Sequence, residues 1–160
     1  MKTVYLTIVC SCMILAGTFA QANMTPAQKT FQNKLINFLK EEGYSPSLNS
    51  DNIINFKSKS DDELHFILIG GASPFLVILE RFGYPLEGEK SLDKTKSIIA
   101  CNTINAKKEA VKFYCTDKRV EFTIEQYIHS EEDFFFVFDR YMKILKKSKD
   151  EFVDEYILIK

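Results

Sequence analysis

Tryptophan is absent from this chain, histidine occurs twice, and glycine and proline are sparse at six and four in 160 residues. So few turn formers argue against a loop-rich scaffold held by disulfides. The two histidines, His65 and His129, are far apart in the chain. Neither has a second histidine or a cysteine at i+2 or i+4, so no histidine–cysteine zinc face is written into the sequence. An excess of charge is also missing. Twenty-one basic and 22 acidic residues leave a net charge of −1, which gives no field to draw in nucleic acid. Catalytic motifs are lacking as well. There is no Gly-x-Ser-x-Gly elbow, and Gly70-Gly71 lacks the lysine and following helix of a phosphate loop. A nucleophilic pair of Cys101 with His65 has no orienting motif. Asp61-Asp62-Glu63 lacks the glycine-containing ligand loop of a calcium site and reads as a solvated loop. No cofactor and no metal are expected, and the chain reads as a non-enzyme.

What is present begins with the first 22 residues. Met1-Lys2 is a short positive start, Val4 to Ala16 is apolar apart from Thr7 and Ser11, and Ala20-Gln21-Ala22 supplies small residues. That is the layout of a secretory signal peptide cleaved after Ala22. The run is shorter than the roughly 20 apolar residues of a membrane anchor. The expected product is exported, periplasmic or extracellular, with no stable membrane anchor after cleavage. Its single domain spans residues 23–160. Apolar residues make up 46% and phenylalanine occurs 14 times, enough to exclude disorder. Cys10 and Cys12 lie in the signal segment, and Cys101 and Cys115 remain. An oxidising compartment invites a bridge between these two. The geometry argues against it. From a turn near Lys107, a helix rising about 1.5 Å per residue and a strand rising about 3.3 Å would carry them apart. Their Cα atoms then fall beyond the roughly 7 Å limit, which leaves two buried thiols.

Along the domain, Thr25-Pro26-Ala27-Gln28 is a capping box with proline at N1. Phe31, Leu35, Phe38 and Leu39 form a helical stripe, closed by Gly43. Ile53–Phe56, Leu64–Ile69 and Pro74–Arg81 read as strands, the last two apolar on both faces. A helix is expected over Ser91–Asn105, packing Ile98, Ile99 and Ile104 inward. Asn102 and Asn105 read as helix-closing residues. Val111, Phe113 and Cys115 then alternate with polar neighbours, as do Val120, Phe122 and Ile124, which predicts a hairpin. Ser130 with Asp133 caps a last helix carrying Phe134, Phe135, Phe138, Tyr141, Met142 and Leu145. The order α-β-β-β-α-β-β-α makes an α+β fold, one antiparallel sheet packed with helices.

This order, with several local phrases, resembles the YbjN-like family and the type III secretion chaperone-like fold. The phrases are Phe38-Leu39-Lys40-Glu41-Glu42-Gly43-Tyr44, Asn52-Ile53-Ile54-Asn55-Phe56, and Cys101-Asn102-Thr103-Ile104-Asn105 leading into Val111-Lys112-Phe113-Tyr114. Ser130-Glu131-Glu132-Asp133 before an aromatic helix is similar too. The resemblance covers about residues 30–147. It implies a compact, often dimeric domain that binds polypeptides and has no catalytic residues. The family is usually cytoplasmic, and the signal segment departs from that.

The strands that are apolar on both sides carry the functional expectation. If Glu80 points to solvent, so do Leu76 and Ile78, leaving Phe75, Val77 and Leu79 in the core. If His65 points outward, Ile67 and Ile69 join it, and Tyr114 is outward on the hairpin. His65, Ile67, Ile69, Leu76, Ile78 and Tyr114 would then form an exposed apolar patch that binds a polypeptide or a second copy. A small-ligand carrier, or a secreted enzyme with a carboxylate site of unfamiliar pattern, is the alternative.

Overall fold

Thr25 starts the first helix as its neighbours require. In the computed structural model, which describes residues 24–57, 63–71 and 75–159, the Thr25 hydroxyl accepts the Gln28 N–H at 3.2 Å. The Gln28 side chain accepts the Thr25 N–H at 2.7 Å. Residues 1–22, the expected signal segment with Cys10 and Cys12, lie outside the described residues, as do Asp61, Asp62 and Pro74. Helix α1 covers Pro26–Glu41. It stops because Gly43 turns to φ 86°. There the Gly43 N–H donates to the Lys40 carbonyl at 3.0 Å and the Tyr44 N–H to the Leu39 carbonyl at 2.8 Å, a left-handed closure that suits glycine.

Six strands follow: β1 Ser47–Leu48, β2 Ile54–Lys57, β3 Leu64–Gly70, β4 Phe75–Pro85, β5 Lys112–Cys115 and β6 Arg119–Ile128. They form one antiparallel sheet in the order β1-β2-β3-β4-β6-β5. Helix α2, Lys94–Asn105, joins β4 to β5, and helix α3, Glu131–Leu158, ends the fold. The chain is a single α+β domain in the expected order, with the two-residue β1 added at one edge. Asn49 makes the β1–β2 turn, accepting the Asp51 and Ile53 N–H groups on its Oδ1 at 2.9 Å.

The three described helices pack on one face of the sheet. Phe31 of α1 stacks on Phe75 of β4 with centroids 4.8 Å apart. Phe138 of α3 meets Phe56 of β2, and Phe152 meets Phe122 of β6. With no tryptophan, phenylalanine fills this core: Phe56, Phe113, Phe122, Phe134, Phe138 and Phe152 are fully buried. β4 bends at Gly83, where a Cβ would stand 2.8 Å from the Phe122 ring. The register shift between Phe82 and Pro85 lies at that bend.

Two expectations need correction. Helix α2 starts later than Ser91, because Asp93 is its N-cap, accepting the Lys96 N–H at 2.8 Å. Its buried stripe is Ser97, Ala100, Cys101 and Ile104, while Ile98 and Ile99 are exposed. Of the three isoleucines only Ile104 falls on the inner side, where the small Ser97, Ala100 and Cys101 let the helix lie close to β5. The second correction concerns Cys101 and Cys115, whose sulfurs lie 3.2 Å apart. The expectation took Lys107 as the level at which helix and strand part. The two elements are instead level at Asn105 and Phe113, where the Asn105 amide donates to the Phe113 carbonyl at 2.8 Å and accepts its N–H at 2.9 Å. Four residues back along a helix is about 6 Å and two forward along a strand about 6.6 Å, so the cysteines meet.

Candidate functional site

The face of the sheet opposite the described helices is built from alternate residues of five strands. Register sets its rows. Leu76 lies opposite Tyr127, and Ile78 opposite Leu68 and Glu125. Asn55, Phe66, Glu80, Thr123 and Lys112 form a continuous line across the sheet. Phe82 lies opposite Glu121, which lies opposite Tyr114. The β3–β4 half is therefore apolar, made of Leu64, Phe66, Leu68, Leu76, Ile78 and Phe82, all half-buried. The β6–β5 half is polar.

Where the halves meet, Phe66 and Phe82 pack with centroids 4.2 Å apart. The Arg119 guanidinium lies 3.8 Å from the centre of the Phe82 ring and 3.9 Å from the Glu121 carboxylate. Burial pushes the Glu80 carboxyl up to about 7. Repulsion from Glu121 adds to this and Arg119 opposes it. Burial also raises Glu121, again against Arg119. Asn55 Oδ1 is buried on this face with no hydrogen-bond partner among the described residues.

Leu76, Ile78 and Tyr114 stand on this open face, as expected. His65, Ile67 and Ile69 do not. They pair with Arg81, Leu79 and Val77 on the helix-covered side, and His65 is buried. The assumption that a histidine marks the wet side of β3 fails because the core holds polar groups at that end. His65 stacks on Phe56 with centroids 5.2 Å apart, beside buried Arg81. Arg81 donates to the Leu145 carbonyl of α3 at 3.1 Å and pairs with Glu63, which Lys149 of α3 reaches at 2.5 Å. This cluster ties β3 and β4 to α3.

Glu121, Thr123 and Glu125 were readable as the wetter side of a hairpin. Their junction with Glu80 was not, because it needs β4 beside β6. Both sheet edges are blunted: β1 is two residues long, and the Asn105 side chain covers the outer N–H and carbonyl of Phe113 on β5. Among the described residues no group of three or more His, Cys, Asp or Glu is placed to hold a metal ion. Among them, too, no helix is long and apolar enough to cross a membrane. No protein-family model, curated protein or solved structure matches this chain.

Proposed function

We propose that this protein is an exported, non-catalytic binding protein that engages a polypeptide, or a second copy of itself, through the open face of its sheet. The observation that carries this reading is the run of Leu64, Phe66, Leu68, Leu76, Ile78 and Phe82 on a face that none of the described helices covers. Contiguous apolar side chains of this kind mark interaction surfaces. The blunted edges favour docking on the face over addition of a strand. Export rests on the signal-like segment 1–22, and the kinship proposed is with the YbjN-like family, a resemblance that implies binding of polypeptides.

A second reading has one observation behind it. Glu80 and Glu121 are neighbouring carboxyls held above their ordinary range, the kind of perturbation also seen at catalytic sites. Their place on a sheet face that none of the described helices covers fits binding better.

Leu76→Asp and Ile78→Asp test the proposal. Both variants should fold and lose partner capture or self-association, read by affinity capture and sedimentation. Phe122→Ala, in the core, should instead cost about 3–5 kcal/mol in thermal melts with the face intact. Folded aspartate variants with unchanged association would remove the open face as the binding surface.

A further inference from the structure

Cys101 lies on the inner side of α2, buried, and Cys115 ends β5, half-buried. Their sulfurs are 3.2 Å apart and both are free thiols. A disulfide is about 2.05 Å long, so closure needs a movement of little more than 1 Å. The elements that carry them are already pinned two residues away on the strand and four on the helix, by the paired hydrogen bonds of Asn105 with Phe113. The pair is thus held in bonding range by backbone geometry, independently of the open face on the other side of the sheet.

We propose that Cys101 and Cys115 are a thiol–disulfide exchange pair that closes to an intramolecular disulfide when an external disulfide supplies the oxidising equivalents. The two sulfurs differ in a way that orders the steps. The Cys115 thiol is lowered, first by its hydrogen bond with Cys101 and further by the charge of Lys94, whose ammonium also pairs with Asp117 at 2.7 Å. Cys101 is raised by the same hydrogen bond and by burial. A thiolate is the attacking species, so the more exposed Cys115 reacts first. Its sulfur attacks the external disulfide, whose S–S bond breaks and releases one thiol. Cys101 then loses its proton to solvent and attacks the Cys115 sulfur, breaking the mixed disulfide and releasing the second thiol. Two protein thiols are oxidised and one disulfide is reduced to two thiols.

The full chain, reduced and desalted, is equilibrated with glutathione disulfide, alkylated and digested with trypsin. The pair lies in separate tryptic peptides, residues 97–107 and 113–118. The expected product joins these two peptides, and the oxidised protein should melt about 6–12 °C higher, reversibly with reductant. In Cys101→Ser, Cys115 should gain one glutathione. In Cys115→Ser, Cys101 should stay unmodified. The wild-type cross-link needs no variant, so a variant that fails to fold does not decide the matter. Recovery of both wild-type peptides unlinked and fully alkylated would overturn the proposal. So would linkage of either cysteine to Cys10 or Cys12 in the folded chain.

Discussion

Glu80 is a carboxyl whose surroundings conflict with its charge. It stands between Ile78 and Phe82 along β4, and between Phe66 and Thr123 across the sheet. Glu121 repels it, Arg119 attracts it, and Lys112 and Glu125 are the other charges on the neighbouring hairpin positions. Its folded value of about 7 lies above its ordinary 4.5. The folded state therefore holds the proton more tightly. Stability from this group is complete below about pH 4.5 and is lost as pH rises towards 7. Solvent on the open face reduces the effect, leaving about 1–2 kcal/mol. Glu80→Gln should remove that part of the fall, so urea unfolding at pH 4.5 and pH 8 should differ less in the variant. An equal pH difference in both proteins would show that Glu80 is better solvated than its neighbours imply.

At the scale of elements, α2 and β5 depend on each other through Asn105. One side chain satisfies both backbone groups of Phe113 that point away from β6. Asn105→Ala would leave those groups exposed along an edge strand and release the end of the helix. A cost of about 1–3 kcal/mol follows. Amide exchange at Phe113 should rise, and the uncovered edge should make the variant more prone to associate. Unchanged exchange at Phe113 would mean that the edge is protected in another way. The sequence showed two asparagines near a helix end, which is enough to expect a structural role. It did not show that one of them bonds to the next strand, because Phe113 and its partner are brought together by a loop of unspecified path.

At the scale of the whole molecule, the cluster of Glu63, Arg81 and Lys149 holds sheet and long helix together at one end. Arg81→Met should destabilise by about 3–5 kcal/mol, since it strips Glu63 of a buried countercharge. Adding Glu63→Gln should recover part of that loss in urea unfolding, because removing both charges costs less than removing one. A double variant as unstable as the sum of the singles would show that the two residues act separately.

The α+β class, the capped starts of α1 and α3, the glycine stop at Gly43 and the core side of the hairpin all follow from local rules. Caps, turns and period-two alternation act within a few residues, so the chain itself carries them. Three matters were decided by tertiary structure. Both faces of β3 and β4 are apolar, so alternation could not say which side the helices would cover, and His65 went to the inner one. The pairing of β4 with β6 created the junction of Glu80, Glu121 and Arg119 from distant segments. The level at which α2 meets β5 brought two cysteines together that a rise counted from the turn would separate. In each case, contacts between elements chose among arrangements that the local pattern leaves equally open.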